Sequence, residues 1–248
     1  MITIPIAALL VILFLGIHKF IRFISPAGKT FISSHDVLIV TAHPDDECMF
    51  FSPTIFQLRK TGHEVHLLCL SSGNYNQKGD IRKKELQKSC AILGIPLKNV
   101  TVLDHSSLPD DPNFNWDPLI VADVVQQHIK EFSIGCVITF DGYGVSGHRN
   151  HIAVYHGVKS LFTKSQRRSK IEAYRLVSVN LLRKYSLLLD LPYSFYFDGQ
   201  LMLSNWLDVH KAKKAMEAHA SQYVWFRWLY VAFSRYMIMN TLKPLCGK

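Results

Sequence analysis

Ala42-His43-Pro44-Asp45-Asp46-Glu47 sets one imidazole and three carboxylates side by side in the chain. Carboxylates this close repel one another and resist ionisation unless a cation compensates them. A divalent metal is the natural cation, and a mixed imidazole and carboxylate donor set suits zinc or ferrous iron. Pro44 keeps the residue before it out of the helical region. His43 and Asp46 can then turn inward together, which leaves Asp45 free for a different role. At a helix start the same acidic residues would only cap the first turn and complement its dipole. A second cluster argues for the metal. Gly142 to His151 (GYGVSGHRNH) carries three glycines that let the backbone approach a ligand closely, followed by His148 and His151 at i and i+3. His63 and His66 share that spacing, but they begin a strand-like run, where such a pair points to opposite faces. They read as structural, as do His105, His128, His156, His210 and His219.

The elements around these clusters alternate. Asp36–Thr41, Glu64–Leu70, Val100–Leu103 and Cys136–Phe140 are short apolar runs of the kind that form strands covered on both faces. Met49–Lys60, Asp80–Leu93, Pro118–Phe132 and Ile152–Phe162 have helical spacing, with Pro53 kinking or restarting the first and Gly94 ending the second. The rhythm predicts an α/β fold with a mainly parallel sheet and helices on both faces. Sites in such sheets lie beyond the carboxyl ends of the strands. Both clusters fall at that edge, one after the first strand and one after the fourth.

The two ends differ from this body. Ile2 to Ile17 is an uncharged apolar run, followed by His18, Lys19 and Arg22. With Lys19 and Arg22 snorkelling, residues 1–24 are expected to form one N-terminal transmembrane helix. No positive side chain precedes the run, unlike a cleaved signal peptide. The following positive charges place the rest of the chain in the cytoplasm. Asn99-Val100-Thr101 is a glycosylation sequon expected to stay unmodified there. Residues 35–205 are expected to form the catalytic domain. Residues 206–248 form a basic, aromatic tail: a helix at Trp206–Tyr223, then Val224–Met239, which either covers the core or lies in the membrane interface.

Composition narrows the function classes. The 248 residues are 48% hydrophobic and 12% aromatic, which excludes a disordered chain. Lys and Arg number 28 against 19 Asp and Glu, a net +9 that suits an anionic membrane surface. No zinc-finger or RNP-type motif supports a nucleic-acid partner. Five cysteines without a CxxC pair point to a reducing compartment.

A strand followed by A-H-P-D-D-E, and later S-G-H-x-x-H at a helix start, resembles the metal-dependent de-N-acetylase family. That family includes the bacterial deacetylases of mycothiol and bacillithiol synthesis and a eukaryotic branch in GPI-anchor assembly. Met49-Phe50-Phe51, Gly73-Asn74-Tyr75, Arg82 to Leu86, Leu93 to Pro96 and Gly142 to His151 look most like the eukaryotic branch. The resemblance implies a Rossmann-like body and one divalent metal ion, zinc, with iron or manganese as alternatives. It implies hydrolysis of the N-acetyl group of N-acetylglucosaminyl-phosphatidylinositol, a membrane glycolipid, by an enzyme of the endoplasmic reticulum membrane. His43, Asp46 and His151 match the metal ligands. Asp45 matches the general base. His148, protonated, matches the residue that stabilises the oxyanion and assists the leaving amine. Arg82 resembles a family arginine near the sugar or its attached group and would suit the inositol phosphate, unless it lies on the solvated face of a basic helix; Asp104, at the end of the third strand, would either bind sugar hydroxyls or cap a turn. Asn150 stands where many bacterial members have Asp, and the resemblance assigns Asp141 no role. Two other classes compete: a membrane-associated phosphoesterase, which would commonly need two metals, and a non-catalytic anchored adaptor.

Overall fold

A computed structural model describes residues 31–111, 113–165, 171–194 and 199–246. The expected anchor at 1–24 lies outside them, and among the described residues no helix is long and apolar enough to cross a membrane. In chain order the elements are β1 (Asp36–Thr41), α1 (Asp46–Phe50), α2 (Ser52–Lys60), β2 (Glu64–Cys69), α3 (Gly79–Leu93), β3 (Val100–Val102), α4 (Pro118–Glu131) and β4 (Cys136–Thr139). There follow α5 (Arg149–Ser165), β5 (Glu172–Leu176), α6 (Leu181–Tyr185), β6 (Gln200–Leu203), α7 (Trp206–Ala218), α8 (Trp225–Phe233) and β7 (Met239–Pro244).

The strands form one sheet in the order β3-β2-β1-β4-β5-β7-β6. The first five run parallel, and β7 pairs antiparallel with both β5 and β6. The sheet is therefore mixed, with its parallel part where the apolar runs predict it. Val37 to Val40 are wholly buried, as a central strand covered on both faces requires. The chain moves one way across the sheet from β1 to β3 and the other way from β3 to β4. Right-handed crossovers then put the intervening helices on opposite faces. α4 packs on α5 on one side, while α2, α3 and α7 pack together on the other. Gly157 permits the first contact, because a Cβ there would meet Val121 Cγ1 at 2.5 Å. The order reverses between β1 and β4, so a crevice opens at their carboxyl ends.

The C-terminal region differs from the expected single segment after 224. α8 stops at Phe233, a short 3₁₀ turn at Arg235–Met237 follows, and β7 then enters the sheet. Asn240 fixes it there: its Nδ2 donates to the Phe50 carbonyl at 2.8 Å, and its Oδ1 accepts from Thr54 Oγ1 at 2.7 Å. Within the expected tail, β7 pairs with β6 across the expected boundary at 205/206. Below them, Arg235 and Asp190 form a buried ion pair at 2.5 Å.

The sequon Asn99 is buried, and its Nδ2 donates to Glu64 Oε1 at 2.6 Å. The cysteines of the described residues are free thiols, and Cys48, Cys69, Cys90 and Cys136 are buried.

Candidate metal centre and active site

The chain leaves β1 at Thr41 and turns at once into α1. Asp46 controls the turn: its Oδ2 accepts from the Ala42 amide at 3.0 Å and the His43 amide at 2.9 Å. The other oxygen, Oδ1, points at His151 Nε2, 3.2 Å away. His151 comes from the start of α5, beyond β4. Its Nδ1 lies 3.1 Å from the Gly144 carbonyl, and only an N–H can meet a carbonyl there. In the neutral imidazole Nε2 is then a bare lone pair, buried and without a hydrogen-bond partner. Two electron-rich atoms face each other in a dry pocket. A cation bound by both accounts for that geometry, and the histidine's opposite nitrogen is oriented by a carbonyl as metal-bound histidines require. His43 completes the group, with Nδ1 3.8 Å from Asp46 Oδ2. Ligand atoms of His43, His148 and His151 also lie within 4.8 Å of one another. The expected residues His43, Asp46, His148 and His151 thus converge, and their donor set fits one divalent cation.

The glycine loop supplies this convergence. Gly144 adopts φ 63°, and a Cβ there would meet His151 Cβ at 2.9 Å, so glycine is needed for the approach. Asp141 organises the loop: its Oδ1 accepts from the amides of Tyr143 and Gly144, both at 3.1 Å, and from Ser178 Oγ at 2.5 Å. Phe140 stacks on the His151 ring at 4.0 Å.

Asp45 sits beside the cluster in a strained conformation. Its φ is 112°, which costs a non-glycine residue about 1–3 kcal/mol. Its amide donates to Glu47 Oε2 at 3.0 Å, and Arg227 Nη2 donates to its Oδ2 at 3.2 Å. Burial raises the Asp45 pKa, outweighing the pull of Arg227 and Arg82. Burial acts the same way on Asp46, but imidazolium charge on His151 and His43, which a bound divalent ion would replace, outweighs it and holds that carboxylate well below its ordinary range. Two adjacent aspartates are thereby separated: one is held ionised, the other is poised to take a proton. Burial lowers His43, yet Asp110, Asp46 and Asp45 raise it on balance. His148, more open to solvent than its neighbours, is held at about 4 by burial and by His151 and His43.

A profile of the PIG-L family, GlcNAc-PI de-N-acetylase, matches residues 38–162. An N-acetylglucosaminyl-phosphatidylinositol de-N-acetylase from Bos taurus is 49% identical over 210 residues, 84% of this chain and 83% of its own. The chain belongs to the PIG-L de-N-acetylase family. A probable enzyme of the same name from Dictyostelium discoideum is 37% identical over 236 residues, covering 83% of this chain and 92% of that one. The N,N'-diacetylchitobiose deacetylase of Pyrococcus horikoshii superposes with a TM-score of 0.65 at 16% identity, covering 93% of this chain and 92% of that one. At that identity the superposition shows a shared fold.

Other residues complete this PIG-L site. Arg82 reaches it, but its donors are committed inward: Nη2 to the Pro44 carbonyl at 2.7 Å, Nη1 to the Gly73 carbonyl at 3.0 Å and to Asp110 Oδ2 at 3.3 Å. Here it braces the His-Pro-Asp turn. Asp104 lies at the rim, bonded to Ser72 Oγ at 2.9 Å and paired with Lys83 at 3.3 Å. Asp110 was missed by the sequence reading. Its Oδ1 lies 3.2 Å from His43 Nε2, which Asn150 Nδ2 also approaches at 3.0 Å. Asp110 sits in a loop with no periodicity, where only its distance to His43 reveals it.

Glu47 of the family motif pairs in the core with His219, which lies outside the matched segment. His219 Nε2 lies 2.7 Å from Glu47 Oε1, and both side chains are sealed from solvent. Cys48 stands beside them, and burial pushes its thiol well above the ordinary range. The pair locks α7 and the loop after it onto α1. Removing one partner strands the other's charge in the core, so His219→Ala should cost about 3–5 kcal/mol. A detergent-solubilised thermal melt should show the loss. An unchanged melting temperature would contradict it.

Proposed function

We propose that this PIG-L member hydrolyses the N-acetyl group of N-acetylglucosaminyl-phosphatidylinositol, giving glucosaminyl-phosphatidylinositol and acetate, a step of GPI-anchor assembly. The observation that carries this reading is the bare His151 Nε2 facing Asp46 Oδ1, next to a buried aspartate outside that pair.

His43, Asp46 and His151 would hold the divalent ion, zinc for this donor set, with iron or manganese as alternatives. Bound there, it supplies Lewis acidity and an acidic water at neutral pH. Asp45 takes the proton of the attacking water, a role its raised pKa suits. Arg227 and Arg82, at 3.2 and 3.8 Å, keep the carboxylate aimed. His148 donates an N–H to the amide oxygen as it gains charge. Asp45 then returns its proton to the glucosamine nitrogen, and acetate leaves. The proton of the leaving amine thus traces to the attacking water.

Residues 1–24 would anchor the enzyme in the endoplasmic reticulum membrane, with the catalytic body facing the cytoplasm and the glycolipid's tails left in the bilayer. The positive residues after Ile17 support that orientation. The test is incubation of the purified full chain with N-acetylglucosaminyl-phosphatidylinositol. Acetate should be released, release should stop with chelator, and added zinc should restore it. Chelator-resistant cleavage would remove the metal, and cleavage of the phosphodiester instead would favour the phosphoesterase reading.

A further inference from the structure

α8 presents its apolar side outward. Tyr230 and Val231 are buried and Arg227 is half-buried, whereas Trp225, Phe226, Leu229 and Phe233 are exposed. A helix that meets water carries the opposite distribution. The inner side is tied to the catalytic loop, with Tyr230 Oη donating to the Met49 carbonyl at 2.9 Å and Arg227 to Asp45. The apolar surface continues onto neighbouring elements. Leu181 and Leu182 of α6 are exposed, and Lys184 of the same helix stands over the Tyr230 ring at 5.0 Å. Trp206 and Trp228 line one open groove of about 550 Å³, together with Lys213. Apolar surface of this extent marks an interaction site.

The chemistry of the patch selects its occupant. A protein interface depletes lysine at its core. Here Lys184 and Lys213 are interleaved with tryptophans and leucines, the mixture that settles at headgroup depth with cations against phosphate. The same chain carries the uncharged run Ile2 to Ile17, which would hold the domain near a bilayer. We propose that α8, with Trp206 and the exposed leucines of α6, seats in the headgroup layer of a bilayer containing anionic lipid. Because Arg227 of this helix touches Asp45, the catalytic loop then opens at the membrane surface. Its use for a glycolipid rests on the function proposed above, whereas the docking itself does not.

Tryptophan fluorescence tests this. Trp116 is buried, with 3% of its surface exposed, whereas Trp206, Trp225 and Trp228 are 74%, 68% and 56% exposed, all on this face. The full chain is reconstituted in vesicles of phosphatidylcholine and phosphatidylserine with brominated acyl chains. Bromine should quench most of the emission, and the Trp225→Phe/Trp228→Phe variant should lose much of the quenched part. Less quenching is expected without phosphatidylserine, and equal quenching overturns the anionic requirement. Unquenched emission shielded from aqueous acrylamide overturns the docking and assigns the face to a protein cover, residues 1–24 or a second copy. A second arm reads activity. Trp225→Glu/Leu229→Glu should lower cleavage of vesicle-embedded glycolipid roughly tenfold or more and leave cleavage of a lipid-free N-acetylglucosaminyl-inositol phosphate unchanged. Equal loss on both substrates overturns the docking role. Quenching in a wild-type protein that cleaves neither substrate would remove the functional reading and leave the docking standing.

Discussion

Asp45→Asn is expected to lower acetate release by about 10²–10⁴-fold, the range for removal of a positioned general base. Metal content should not change. Asparagine keeps the shape of the side chain and an oxygen for Arg227, and it tolerates positive φ better than most residues, which matters at φ 112°. What it removes is the proton acceptor. The fold should survive, because burial already disfavours the charge at this position. Acetate assay and elemental analysis on one preparation separate the two effects. Retained activity would move the base elsewhere, and lost metal would make Asp45 a ligand.

Asp46→Ala should abolish metal binding and, with it, activity. It also unseats the turn, since the Ala42 and His43 amides lose their shared acceptor. Buried unsatisfied donors cost about 1–3 kcal/mol each, so this variant is also expected to melt earlier. Asp46→Asn separates the contributions. Its remaining oxygen can hold both amides, so stability should largely return while metal content stays low, because the charge facing His151 is gone. Normal metal stoichiometry in Asp46→Asn would remove Asp46 from the ligand set.

These expectations draw on residues of two kinds. His43, Asp45 and Asp46 were legible because they are adjacent, and a buried strand before them fixes the sheet edge on which they stand. His148 and His151 were legible because the glycines that admit them are equally local. Nothing local marks Asp110, Arg227 or His219. Arg227 is 182 residues from Asp45, and His219 is 172 from Glu47. A histidine bound for a core ion pair and one on a solvated helix look alike until the fold brings the carboxylate. Arg82 shows the converse: its place near the site was legible, but its commitment to the Pro44 and Gly73 carbonyls was not.

The sequence alone determined the parallel half of the sheet, because strands covered on both faces read as unbroken apolar runs and their crossover helices follow a single handedness. It also determined the chemical type of the site, since crowded carboxylates beside histidines require a cation. Tertiary structure decided the rest. β7, a short segment carrying Asn, Lys and Pro, becomes a strand only because β5 and β6 accept it. Burial and the His43 imidazole, which the other loop brings in, help to lower the His148 pKa, and its neighbours in the chain reveal neither. Periodicity states which face a residue occupies, but its partner across the fold is fixed only when the packed chain closes the distance between them.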